Sequence, residues 1–111
     1  MAQASPDDLL REGAARHRRG DLAGAERLYR KVLARRPGDG DALNLLAVIA
    51  RGRGELRAAL DLSARAVATM PDSPVFLANH GAALAEAGEF GPAVAALRAA
   101  LARRPDDAVT L

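Results

Sequence analysis

The sequence predicts an all-α solenoid: three stacked copies of a helix-turn-helix unit and the start of a fourth. Three observations predict it. Pro37, Pro71 and Pro105 lie 34 residues apart, and Gly20, Gly54 and Gly88 share that interval. So do Leu9, Leu43 and Leu77, and Ala25, Ala59 and Ala93. A period of this length is one supersecondary unit, copied and stacked. The apolar half of the chain is mostly alanine and leucine, both strong helix formers, and only 3% of residues are aromatic. β-Branched residues are few, which argues against a sheet. Finally, helix start and stop signals recur at the same interval.

Each unit reads as a first helix (A), a tight turn, a second helix (B) and a short loop. The A helices are expected over 7–19, 41–53 and 75–87, and the B helices over 22–35, 56–69 and 90–103. Ser5, Asp39, Ser73 and Asp107 occupy one repeat position, and all are good N-cap residues. Pro6 and Pro74 follow their serines at the first helical position, where the missing N–H costs nothing. Asp8, three residues after Ser5, completes a capping-box pattern with Asp in place of Glu. Gly20, Gly54 and Gly88 end the A helices, because glycine takes the left-handed conformation without strain. Asp21, Glu55 and Glu89 bring negative charge to the start of each B helix, the favourable end of its dipole. Pro37, Pro71 and Pro105 block continuation of the B helices.

Small residues set the packing. Gly13, Ala47 and Gly81 are expected to face Ala25, Ala59 and Ala93, allowing close approach within each pair. Larger residues at Leu9, Leu43 and Leu77, and at Leu33, Val67 and Leu101, fill the remaining space. One helix pair cannot bury this face alone, so the units must stack.

The totals exclude several classes. There is no cysteine, hence no disulfide, thiolate zinc site or cysteine nucleophile. Residues 1–8 have neither the basic nor the apolar region of a signal peptide. The longest uncharged apolar stretch, 42–50, is too short to span a bilayer. The reading is a cytoplasmic protein with no cofactor and no membrane partner. The net charge of +2 is uneven: residues 1–36 carry +4, residues 37–70 are neutral and residues 71–111 carry −2.

These residues resemble the tetratricopeptide repeat (TPR), whose pattern is W-x-x-L-G-x-x-Y, then A, then F, A and P. Unit 1 (6–39) carries Leu9, Gly13, Ala25, Tyr29 and Pro37. Unit 2 (40–73) carries Leu43, Leu46, Ala47, Ala59, Ala66 and Pro71. Unit 3 (74–107) carries Leu77, Gly81, Leu84, Ala93, Leu97, Ala100 and Pro105. Residues 108–111 form the stub of a fourth unit, with Leu111 matching Leu77. The whole chain, 1–111, reads as a single TPR domain. Departures are local: Glu12 and His80 replace a leucine, Arg16 and Ala50 an aromatic, and Ser63 a large residue on helix B.

The resemblance implies a right-handed superhelix with a concave groove lined by the A helices. Unit 1 would contribute Asp7, Leu10, Ala14, His17 and Arg18. Unit 2 would contribute Asp41, Asn44, Val48 and Arg51. Unit 3 would contribute Val75, Ala78, Asn79, Ala82 and Glu86. A small apolar floor with a few polar groups suits a peptide or helix of a protein partner. The implied function is a non-enzymatic protein–protein interaction scaffold. Asn79 is the sharpest candidate, because an amide both donates to and accepts from a peptide backbone; an inter-helix hydrogen bond is the plainer alternative. Family members that clamp a chaperone C-terminal carboxylate use cations and asparagines where this chain has Leu10, Ala14, Leu45, Val75 and Asn79. No cation stands there, so no such clamp is expected.

Other signals are weaker. His17 and His80 are the only histidines and lie two repeats apart, so no metal site is expected. His80 reads as a hydrogen-bonded packing residue. Ser63 has no base at helical spacing and reads as a packing concession. The cluster Arg11, Arg16, Arg18 and Arg19 lacks aromatic stacking partners and lies near Asp7, Asp8 and Glu12, which disfavours nucleic acid. Two rival functions remain. One is homo-oligomerisation through an uncapped C-terminal end at Leu97, Leu101 and Leu111. The other is an N-terminal arm of a larger bacterial enzyme, such as a glycosyltransferase or sulfotransferase, suggested by the run from Asp41 to Ala50.

Overall fold

The computed structural model of the chain describes residues 4–103. These form six helices: α1 (Pro6–Arg18), α2 (Leu22–Arg35), α3 (Gly40–Gly52), α4 (Leu56–Thr69), α5 (Pro74–Glu86) and α6 (Phe90–Ala102). The expected Asp107 cap, Pro105 and Leu111 lie outside the described residues. Each A helix starts and ends one residue earlier than its expected range. The reason is the cap: Pro6, Gly40 and Pro74 directly follow the capping residue and already take helical geometry.

The start signals act as anticipated. The Ser5 hydroxyl accepts from the Asp8 N–H at 3.0 Å, and the Asp8 carboxylate accepts from the Ser5 N–H at 3.3 Å. Asp39 accepts from the Ala42 N–H at 2.9 Å, and Ser73 from the Phe76 N–H at 3.1 Å. At the stops, Gly20, Gly54 and Gly88 have φ of 84°, 77° and 83°. Their left-handed turn lets the next N–H reach back five residues, as Asp21 does to the Arg16 carbonyl at 2.9 Å. The acidic residues after these glycines are unequal. Asp21 caps α2 through the Gly24 N–H at 3.0 Å, whereas Glu55 and Glu89 make no side-chain cap bond. Glutamate is one methylene longer than the residues that favour N-caps.

Helices pack first within pairs, α1 on α2, α3 on α4 and α5 on α6. The pairs then stack through α2 on α3 and α4 on α5, and α3 also touches α5. The stack measures 49 × 34 × 25 Å. Its core runs continuously through Ala25, Tyr29, Leu43, Leu46, Ala59, Leu62, Ala66 and Phe76. Unit 2 lies between two neighbours and is buried on both sides. Unit 3 leaves Val75, Phe90, Val94, Leu97 and Leu101 exposed, with Leu101 at 64%. Unit 1 instead turns a polar face outward: Arg16 bridges Glu12 at 3.1 Å and Asp21 at 3.2 Å.

One packing expectation is incomplete: Gly81 does lie beside Ala93, whose carbonyl would be 3.4 Å from an added Cβ, but larger side chains lie nearer. A Cβ on Gly13 would lie 2.5 Å from Tyr29 Cε1, and one on Gly81 would lie 2.8 Å from Leu97 Cγ. The space beside these glycines belongs to a large residue one turn beyond the expected alanine. The alanines permit helix approach, but the ring of Tyr29 and the side chain of Leu97 occupy the gap.

Candidate functional site

The A-helix face is assembled from α1, α3 and α5. Its best-defined element is an amide pair. Asn79 on α5 donates from Nδ2 to Oδ1 of Asn44 on α3 at 2.9 Å. Asn44 is only 6% exposed, whereas Asn79 is half-buried. The inter-helix bond weighed for Asn79 therefore exists, and its partner is the asparagine that sequence register places one position away. Among the described residues, the Tyr29 hydroxyl is the single buried side-chain polar atom without a partner. The Asn44 Nδ2 amide and the Asn79 Oδ1 oxygen take no part in this bond, and neither is a sealed, unpartnered atom.

Around this pair, Ala14, Val48 and Ala82 occupy equivalent positions on the three helices and are all half-buried. Leu10 packs against the core cluster. Farther along, Arg51 donates to Glu86 across the unit 2–unit 3 boundary at 2.7 Å, so both are engaged within the fold. His17 is half-buried with its ring 6.3 Å from that of Tyr29, and Arg18 is exposed. Asp7 is tied to Arg36 at 3.3 Å, and Asp41 is exposed. Val75 and Ala78 precede Asn79 and Ala82 by one helical turn on α5. They line a cleft of about 520 Å³ with Pro74, Leu97, Ala100 and Leu101, on the outer side of unit 3.

Sequence reasoning missed one contact. Ser63 Oγ lies 2.7 Å from His80 Nδ1 and donates to the Leu60 carbonyl at 3.2 Å. The two residues are 17 apart on different units, so helical spacing could not link them. Their shared departure from the repeat pattern was the available signal. Ser63 is 1% exposed, which places this polar contact inside the joint between units 2 and 3.

Burial holds His80 below its ordinary pKa of 6.5. The unfolded chain therefore takes up this proton first. The stability linked to His80 is complete above about pH 6.5 and falls as acidification proceeds toward the folded pKa. Carboxylates act lower. Bonds from Ser5 hold Asp8 below its usual 3.8, the Gly24 N–H does the same for Asp21, and Arg53 then Arg30 hold Glu26 below 4.5. Their contribution is present above those ordinary values and lost beneath them. Urea midpoints are expected to decline between pH 7 and pH 5.5 in the wild type and to stay flat in His80→Leu. A flat wild-type profile would refute the assignment.

No group of three or more metal-ligating side chains occurs among the described residues. None of the described helices is long and apolar enough to cross a membrane.

A sequence model of the tetratricopeptide repeat matches residues 17–78, more than half of the chain. The chain belongs to the tetratricopeptide repeat family. Among solved TPR-like structures, a mutant O-GlcNAc transferase of Thermobaculum terrenum superposes with a TM-score of 0.89 at 31% identity. That match covers 96% of this chain and 21% of the transferase. The Yersinia enterocolitica type III secretion translocator chaperone SycD, in an alternative dimer, gives 0.82 at 16% identity over 95% of this chain and 82% of its own. MamA of AMB-1 gives 0.77 at 22% identity, over 93% and 56% respectively. The latter two likenesses show the TPR solenoid fold. No curated protein sequence shows a significant match. The TPR chain thus spans about a fifth of the transferase and just over half of MamA.

Proposed function

We propose that this TPR chain is a non-enzymatic interaction module that holds a peptide or helix of a protein partner on its concave A-helix face. We read its units as 6–39, 40–73 and 74–107 of one domain, and its location as the cytoplasm. The observation that carries the reading is the Asn44–Asn79 pair. It fixes two amides across a unit boundary, beside an apolar floor of Ala14, Val48 and Ala82, with a donor and an acceptor left for a peptide main chain. A peptide library selected against the wild-type protein provides the probe. Val48→Glu places a charge on that floor and is expected to weaken selected binders about tenfold or more, and Asn79→Ala to weaken them less. Binders indifferent to both substitutions would sink the groove.

A second reading is an N-terminal arm of a larger enzyme. The 31% identity to the O-GlcNAc transferase over almost the whole chain supports it. The coding sequence past Leu111 tests it directly. The cleft lined by Leu97 and Leu101 also supports self-association through that end, since clustered apolar exposure marks interaction surfaces. Appending a polar capping helix after residue 107 is expected to abolish any oligomer seen by light scattering. An oligomer that survives the cap refutes this reading.

A further inference from the structure

We propose that the solvent face of α2 is a second docking surface, specific for an acidic protein segment whose carboxylates are separated by short apolar side chains. Arg27, Lys31 and Arg35 form an i, i+4, i+8 row and are all exposed. No ion pair joins any of them to a carboxylate among the described residues. Arg35 donates to the Ala4 carbonyl, which leaves its charge uncompensated. Arg30 stands beside the row, and its partner Glu26 is shared with Arg53 at 2.8 Å.

Such a row works against the helix that carries it, because like charges at i, i+4 repel. The repeat supplies its own control. Thirty-four residues on, α4 has Asp61, Arg65 and Thr69, with Asp61 and Arg65 paired at 3.6 Å. In unit 3 the row is Ala95 and Ala99 on α6 and Arg103 at its C-cap, and Arg103 pairs with Asp72 at 2.8 Å. An arginine-rich composition acts on all three units alike, so it does not account for a uniformly basic row in unit 1 alone.

The shape of the face selects the partner. Two shallow hollows meet at Lys31 and Ala34, of about 470 Å³ and 440 Å³. Ala4 and Leu9 line one; Ala23 lines the other together with Glu26, whose carboxylate is already engaged by Arg30 and Arg53. Small apolar floors between cations suit short apolar side chains between carboxylates. The cations repeat every ~6 Å along the helix, which matches acidic residues at i, i+4 of a partner helix or i, i+2 of a strand. Guanidinium groups bind carboxylates through paired hydrogen bonds. Single-stranded nucleic acid calls for exposed aromatics, and the one aromatic of α2, Tyr29, is fully buried. A membrane surface calls for large apolar anchors, which this face lacks.

The probe is a fluorescent peptide repeating Glu-Leu-Ala-Glu, titrated at low salt against the full chain, with a DNA duplex in parallel. Saturable peptide binding is expected, weakened about tenfold by Lys31→Glu and by added salt, and unchanged by Arg65→Glu on α4. Because Lys31→Glu replaces repulsion by an Arg27–Glu–Arg35 ladder, it is also expected to raise the Tm by about 2 °C. Absence of peptide binding, equal binding by Lys31→Glu, tighter binding of the duplex, or a lower Tm for Lys31→Glu would each overturn the proposal.

Discussion

Tyr29→Ala is expected to destabilise the protein by about 3–5 kcal/mol, lowering the Tm by roughly 15 °C. Tyr29 is fully buried where α1, α2 and α3 meet, and it is the largest side chain sealed in the core. Its loss opens a cavity at the junction of units 1 and 2, which the flanking helices fill only partly. The hydroxyl is a separate matter. It is buried without a hydrogen-bond partner, and burial pushes its pKa up. An unpaired buried hydroxyl is a cost rather than a contribution. Tyr29→Phe is therefore expected to be neutral or to stabilise by about 1 kcal/mol. Thermal and urea unfolding of both variants check this. A Phe variant clearly weaker than the wild type would show that the hydroxyl has a partner.

The second large effect is at Gly13. Replacing an interior helical glycine by alanine ordinarily gains about 1 kcal/mol in propensity. Here the added Cβ meets Tyr29 Cε1 at 2.5 Å and Cδ1 at 2.9 Å, and the ring is locked by burial on every side. Gly13→Ala is expected to cost about 1–3 kcal/mol net, and Gly13→Val more. The sign should reverse when the ring is absent. In a Tyr29→Ser background, Gly13→Ala restores the combination that unit 2 uses naturally, Ala47 with Ser63. There it is expected to stabilise, giving a coupling energy of about 2–3 kcal/mol in a double-mutant cycle. Additive effects would mean that the two positions do not share one space.

That pairing shows where sequence reading stopped. The repeat places Gly13 with Tyr29, Ala47 with Ser63 and Gly81 with Leu97, each pair 16 residues apart. A glycine accompanies each large residue, and the alanine accompanies the small one. The sequence displays this exchange of volume, but only the contact of Tyr29 with Gly13 gives it a cause. The expected facing of Gly81 and Ala93 is present, with the Ala93 carbonyl 3.4 Å from an added Cβ, but Leu97 lies nearer. The His80–Ser63 bond was hidden for a related reason: each looked like an isolated departure from the pattern, and neither is, because each compensates the other.

The A-helix face was legible in part. The positions of Ala14, Val48 and Ala82 on one face follow from the 34-residue period and the helical repeat. The engagement of Arg51 by Glu86, and of Asn79 by Asn44, does not. Both depend on how far one A helix slides and turns against the next. Nor does the period show that Val75 and Ala78 also line a cleft with Leu97, Ala100 and Leu101 of α6.

The sequence by itself determined the helices, their caps and their order. Those features rest on local rules: a capping side chain reaches three residues, a glycine turn spans one step, and a period counts along the chain. The tertiary structure decided which side chains share space across units, which polar groups find partners and which charges stay uncompensated. Those outcomes depend on distances between residues far apart in the chain, and such distances are set only when the units stack.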